Sequence, residues 1–287
     1  MNAFDDRLVT LTISLNDQVI ATYDQNFYII ATGRSYTNGL GGELSLRIDN
    51  ISKTVRDQLV TATSQFRNPK KTVATVSLSV GRESYGTFQI FIGVAIACNP
   101  TQPPDIGLTI RSLSSQQLWG IPNSFTAPSM ASVQSICQQV ASAAGLTLDY
   151  QATTNPSIGN YRFTGAVGKQ IQKLNALGIS AYIPSNSNTL VVTDYLAPRN
   201  LPTVQVNSST GLIGVPQVSE VGVTCKVLIT NEIQLGAPIQ LTSTLNPAAN
   251  GMYVLNNLGY EIASRDTPFY WLLNMSYQAA EMGQTAS

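Results

Sequence analysis

Three stretches of this 287-residue chain carry residue types that could do chemistry. Gly165-Ala166-Val167-Gly168-Lys169-Gln170 resembles the end of a phosphate loop. Such a loop needs a glycine five positions before Gly168 and a Ser or Thr after the lysine, to make the tight turn and to ligate magnesium. Phe163 and Gln170 stand there instead, so the segment reads as a plain helix start. Gly39-Leu40-Gly41-Gly42 has Leu44 where a dinucleotide fingerprint needs its last glycine, and no helix follows to offer its dipole. It reads as a flexible loop. Arg67, Lys70 and Lys71 form the one basic cluster, which reads as a solvated helix end or, less simply, as a contact for phosphate or an acidic partner.

Other mechanisms fail on composition. The chain has no histidine, which removes Ser-His-Asp and Cys-His nucleophiles, HExxH zinc sites and imidazole proton shuttles. No GxSxG segment occurs, so a nucleophile elbow has no basis. A carboxylate pair of the glycosidase kind would have to come from separated residues such as Asp105, Asp149 and Asp194, and nothing in their spacing marks a pair. Cys98, Cys137 and Cys225 are an odd set, far apart and among apolar neighbours. They read as buried free thiols of a reducing compartment. We therefore expect no catalytic, cofactor-binding or metal-ligating residues, and no cofactor.

Sixteen basic residues balance sixteen acidic ones, and only 11% of the chain is charged. A neutral chain does not gather nucleic acid or anionic lipid from solution. Residues 1–112 hold ten basic and nine acidic side chains, whereas the 175 residues of 113–287 hold six and seven. Charge-poor surfaces of this kind belong to chains that live in assemblies, because charge is depleted from interface cores. The first residues have neither the basic nor the apolar region of a signal peptide. The longest apolar run, Ile90 to Cys98, is too short to span a bilayer, so no membrane anchoring is expected.

The elements that must position any site are mostly strands. Val9, Leu11, Ile13 and Leu15 alternate with Leu8, Thr10, Thr12 and Ser14, the period of a half-buried strand. Further strands are expected at 27–32, 44–48, 73–80 and 88–97, with a hairpin turn from Gly81 to Gly86. Ile51, Val55, Leu59, Ala62 and Phe66 share one helical face, which predicts a helix over 51–66 capped by Asn50 or Ser52. A β-barrel or sandwich with one packed helix follows for residues 1–112. In 113–200, Val133, Ile136, Cys137, Val140 and Ala144 predict an amphipathic helix capped by Ser129 or Ser132 and ended by Gly145. A second helix, from about Ala166 to Ala176 with Thr164 as its cap, and a hairpin across Pro184–Asn188 complete a small α+β domain. Residues 201–287 return to strands, at 203–206, 221–229, 239–242, 252–263 and 271–277. Trp119 and Trp271, with Phe269, Tyr270 and Tyr277, are aromatic anchors; Trp271, in an expected strand, reads as core, while Trp119 in a loop is an interface candidate.

Three segments in order resemble one family. The helix Ser132–Gly145 leading into Leu146-Thr147-Leu148, the run Phe163-Thr164-Gly165 before a helix and a hairpin ending Asn188-Thr-Leu190-Val-Val192, and Thr210-Gly211-Leu212-Ile213-Gly214-Val215-Pro216 before Val221-Gly-Val223, a strand pair around Gly236 and Asn250-Gly251-Met-Tyr253 are similar to the baseplate hub proteins of contractile-tailed bacteriophages. These are the Mu-like and T4-like tail hubs, with relatives among tailocin and late-control tail proteins. The match covers about 125–275, and the N-terminal strands by class only. Near Asn231 some relatives carry a proline before the turn, which puts that turn in doubt.

The resemblance implies an α+β, mostly β fold in which two tube-like β-barrel or sandwich domains (1–112 and 201–287) flank the small α+β domain (113–200). It implies a structural, non-enzymatic virion protein, a homotrimeric ring adapting the sixfold tail tube to the threefold central spike. Its channel would pass tape measure and DNA in transit, and other baseplate proteins would be further partners. Assembly would take place in the host bacterial cytoplasm. Two other readings stay open: a tail enzyme degrading cell wall or polysaccharide, and a generic β-rich binding module or adhesin.

Overall fold

The computed structural model describes residues 5–38, 41–64, 66–68, 71–103, 106–127 and 129–277. In chain order the elements are β1 (Arg7–Leu15), β2 (Gln18–Tyr23), β3 (Ile29–Tyr36), β4 (Gly42–Asp49), α1 (Lys53–Thr63), β5 (Ala74–Arg82), β6 (Gly86–Pro100) and β7 (Gly107–Leu113). The middle of the chain holds β8 (Pro122–Thr126), β9 (Met130–Ser132), α2 (Val133–Ala144), β10 (Thr147–Tyr150), β11 (Ser157–Gly159), β12 (Arg162–Ala166), α3 (Val167–Leu174), β13 (Ile179–Tyr182) and β14 (Thr189–Asp194). The last stretch is β15 (Val204–Val206), β16 (Leu212–Ser219), β17 (Gly222–Leu228), β18 (Pro238–Leu241), β19 (Gly251–Ala263) and β20 (Phe269–Tyr277).

The fold is α+β and mostly β, and one large antiparallel sheet dominates it. The strand order is β16-β17-β20-β19-β3-β4-β7-β6-β5-β1-β2, with β18 pairing both β19 and the short β15 off this path. The N-terminal and C-terminal strands meet where Asn257–Ala263 of β19 pairs antiparallel with Ile30–Tyr36 of β3. Among the described residues no ladder returns from β2 to β16, so the sheet is open where the sequence allowed closed barrels. The reason is local: each end strand has one paired side only.

Alternation makes one face of this sheet apolar. In β1, Val9, Leu11 and Ile13 are fully buried, as their period-2 spacing predicts, and Leu44, Leu46 and Ile48 of β4 follow suit. N-terminal and C-terminal strands contribute to a single hydrophobic cluster, from Val9 to Met275. Gly33 is required there. A Cβ on it would stand 2.3 Å from the Tyr260 hydroxyl and 2.4 Å from the Glu43 carbonyl, so only glycine lets the Tyr260 ring lie across β3.

Helix α1 is shorter than its apolar spacing suggests. It runs from Lys53 to Thr63, with Ser52 accepting a hydrogen bond from the Val55 N–H. The predicted helix to residue 66 is corrected: Ser64 is extended and the Asn68 amide donates to the Ala62 carbonyl at 2.8 Å, so the chain leaves the helix before Phe66. Phe66 is 97% exposed, whereas Val55 and Leu59 are buried as expected. Pro69, expected to end this helix, and the polar tail from 278 on lie outside the described residues.

The middle of the chain has its own hydrophobic cluster, in which α2 and α3 cover the sheet β10-β14-β13. α2 starts at Ser132, whose hydroxyl accepts from the Ser135 N–H, and stops at Gly145 in a left-handed conformation with φ 66°, both as expected. The β13–β14 hairpin forms across residues 183–188. The cap of α3 differs: Ala166 occupies that position without a side-chain hydrogen bond, because Thr164 is still inside β12, paired with Ser124 of β8.

Core and helix end give a direct check. Leu59→Ala should cost about 2–5 kcal/mol of unfolding free energy. Phe66→Ala should stay within about 0.5 kcal/mol. Denaturant titration of both variants measures the contrast.

Candidate functional site

The face of the sheet opposite the core is a broad polar wall. Register fixes its rows. Ile213, Lys226, Leu272, Gly259, Arg34, Glu43 and Leu113 are cross-strand neighbours from β16 to β7. Tyr270, Glu261, Thr32, Ser45 and Arg111 form the next row. A shallow groove of about 370 Å³ runs along this wall, lined among others by Thr32, Arg34, Glu43, Arg111, Glu261 and Asn274.

Several charges on the wall are held in pairs. The Arg34 Nε lies 3.2 Å from Glu43 Oε1 across β3 and β4, and Arg47 Nε lies 2.9 Å from Asp49 Oδ1. Lys226 Nζ donates to the Tyr270 hydroxyl at 3.2 Å and sits 4.6 Å from its ring centre, and that hydroxyl donates in turn to Glu261. The hydrogen bond to Tyr270 is the main reason the Lys226 ammonium is pushed above its ordinary pKa. The exposed Arg34–Glu43 pair adds little stability, whereas Asp49 is buried beside Arg47, and each contact sets an acidic group against a basic one.

The residues singled out in the sequence are scattered over other parts of the fold. Gly168 and Gln170 are buried at the start of α3, and Gln170 accepts from the Asn123 amide at 2.6 Å and donates to the Tyr161 hydroxyl at 3.4 Å. The helix-start reading is therefore right, and the glutamine is core. Gly42 is tied down: its N–H donates to the Ser114 hydroxyl and its carbonyl accepts from the Ser114 N–H at 2.9 Å, while Gly39 lies outside the described residues. Arg67 and Lys71 are exposed, and Lys70 lies outside the described residues.

The carboxylates serve structure. Asp149 accepts from Arg199 at 3.0 Å and from the Gln151 amide at 2.9 Å. Asp194 accepts from the hydroxyls and backbone N–H groups of Thr153 and Thr154. Burial alone would raise the Asp194 carboxyl, but those four donors outweigh it and hold the group down at about 2. Asp105 lies outside the described residues. Cys98, Cys137 and Cys225 are buried free thiols, and burial pushes them up to about 11, 12 and 12. Among the described residues no three His, Cys, Asp or Glu side chains gather to hold a metal, and no helix is long and apolar enough to cross a membrane. Trp271 is buried, with Nε1 donating to the Thr230 carbonyl at 3.0 Å, and Trp119 is 39% exposed.

With this geometry in hand, comparison with known proteins is decisive. The family model described as "Baseplate hub gp41" matches residues 8–275. This chain belongs to that family. Comparison of the sequence with curated proteins gives no significant match. Among solved structures the chain is similar to a 43 kDa tail protein of prophage MuSo2 from Shewanella oneidensis, at TM-score 0.65 and 8% identity over 96% of this chain and 99% of that one. It is also similar to a tail protein from Neisseria meningitidis MC58, at TM-score 0.62 and 9% identity over 94% and 96%. A third is the E. coli c3393 protein, described as a type VI secretion component similar to the T4 tail proteins gp27 and gp5, at TM-score 0.55 and 9% identity over 93% and 77%. At these identities the structures show a shared fold, and the family match shows a structural tail protein.

Two measurements follow from the side-chain chemistry of this hub. The depressed Asp194 pKa stabilises the folded state above the ordinary carboxylate value of 3.8, and that contribution is lost as pH falls through about 2. Asp194→Asn should therefore be less stable than the parent at neutral pH, with the gap closing over this acid range in a pH series of unfolding curves. Iodoacetamide at mildly alkaline pH should leave all three cysteines unlabelled until the chain is unfolded, as intact mass would record.

Proposed function

We propose that this hub protein forms a homotrimeric ring in a contractile tail, matching the sixfold tube to the threefold spike and enclosing a channel. The observation that carries the reading is the continuous run β16-β17-β20-β19-β3-β4-β7-β6. It takes four strands from the C-terminal part and four from the N-terminal part of the chain. Three such chains would present six four-strand panels, so a trimer imitates a sixfold ring. Residues 1–112 and 201–287 would act as the two tube-like domains, and 113–200 as the α+β domain between them.

The polar wall would then face the channel. Its pairing of Arg34 with Glu43, of Arg47 with Asp49 and of Lys226 with Tyr270 and Glu261 suits passage of tape measure and then DNA. Unpaired basic side chains would bind phosphates and release counterions, which slows a moving polyanion. The tail tube and central spike would take opposite rims of the ring, and assembly would take place in the host bacterial cytoplasm before the virion is complete. The tail-enzyme reading gains no support from Asp149 and Asp194, whose oxygens are taken up by neighbouring side chains.

Negative-stain images of the purified protein, alone and with co-expressed tube and spike proteins, test this. Threefold rings with an axial hole are expected. A compact monomer under both conditions would overturn the reading.

A further inference from the structure

β6 changes partners along its length. It pairs with β5 as far as Val94 and with β7 from Val94 to Pro100, with a bulge between Ala95 and Ala97. Before Val94 the β13–β14 turn docks on the strand. The Ile92 N–H donates to the Ser185 carbonyl at 2.9 Å, and the Ser185 hydroxyl donates to the Ile90 carbonyl at 3.0 Å. This strap holds the middle of the chain against the large sheet, and beside it lies a cavity of about 330 Å³. That size falls within the range of small-ligand pockets, roughly 300–1,000 Å³. Ser35, Tyr260 and Trp271 line it, and they alternate along their strands with the wall residues Arg34, Glu261 and Leu272. The cavity therefore lies on the face of the sheet opposite the polar wall.

Three of the lining residues bring buried polar atoms that have no hydrogen-bond partner among the described residues: Ser35 Oγ, Tyr260 Oη and Arg199 Nε. Ser35 is 4% exposed and Tyr260 2%. Buried polar atoms are nearly always paired, so three around one cavity point to a ligand that pairs them. Arg199 is the one charged residue among the described lining, and its Nη2 already lies 3.0 Å from Asp149. At the mouth, Asn231 and Gln234 are exposed, and their side-chain amides bond no described residue. The rest of the lining is apolar. The rings of Phe88 and Trp271 lie 6.3 Å apart, with Ile233 and Leu258 beside them. Because Trp271 Nε1 is spent on the Thr230 carbonyl, the indole has only apolar surface left to offer.

We infer that this cavity binds a neutral sugar of one or two rings. A sugar ring carries an apolar C–H face, which suits Phe88 and Trp271, and a rim of hydroxyls that both donate and accept. The Arg199 Nε–H and the amide NH2 groups need acceptors, and the Ser35 and Tyr260 hydroxyls take either sense. A hydrocarbon would leave those buried atoms unpaired. A carboxylate or phosphate would meet an arginine that Asp149 already neutralises. The assignment adds a ligand to the hub and does not rest on the ring reading.

Saturation-transfer NMR on the purified protein tests this, with methyl glucoside, galactose, N-acetylglucosamine and maltose as probes at millimolar concentration. At least one should receive saturation, strongest at its ring C–H protons. Ser35→Ala and Gln234→Ala should each weaken binding of that sugar about tenfold, the loss of one hydrogen bond. Neither should lower the melting temperature, because neither side chain bonds the described protein. Acetate and sulfate should leave the sugar in place. A panel that receives no saturation, a sugar bound as well by both variants as by the parent, or displacement by acetate or sulfate overturns the proposal.

Discussion

The structure depends on one ladder, the pairing of β19 with β3. Backbone hydrogen bonds between Asn257–Ala263 and Ile30–Tyr36 fuse segments from the two ends of the chain into one sheet. Side chains reinforce the join. Ser264 Oγ accepts from the Ile29 N–H at 3.0 Å and donates to the Phe27 carbonyl at 2.7 Å, and the Tyr85 hydroxyl donates to the Ile229 carbonyl at 2.9 Å. Arg7 and Arg82 both lie over the ring of Phe269, 5.1 and 5.3 Å from its centre. Closing so long a loop costs conformational entropy, and the shared apolar core on one face of the sheet offsets it.

The ladder also fixes what the opposite face looks like. With the core face filled by alternating apolar residues, the remaining positions of six adjacent strands fall on one wall by register alone. On that wall Arg34 and Glu43 meet across neighbouring strands, as do Lys226, Tyr270 and Glu261, while Arg47 and Asp49 pair within β4. A site for catalysis normally sets perturbed titrating groups in a cleft. Here the strongly shifted groups are buried thiols and tyrosines and the threonine-bound Asp194, each explained by packing or by local hydrogen bonds.

What the sequence revealed follows the range of the interactions involved. Alternation in β1 and β4, the α2 face and its Ser132 and Gly145 ends are local, and they were legible. The open sheet was not, because periodicity says which face a strand buries and nothing about its neighbour. β16 was not among the expected strands; it carries Gly214 and Pro216, both in the irregular part of an edge strand where they are tolerated. β8, β9, β11 and β12 are short and partly exposed, and so carry almost no pattern. Phe66 misled because its spacing is helical, although the chain has already turned away. The polar wall itself was invisible, since it needs the registers of β17, β20, β19, β3, β4 and β7 together.

The bulge in β6 has a mechanical side. One uninterrupted backbone carries two ladders of the same sheet, so β5 and β7 are coupled through the residues around Ile96 and not through a loop. A bending load applied to either side of β6 reaches the other at that point, where the ladder is irregular. The molecule therefore has a crease at a defined place, with stiff panels on both sides of it.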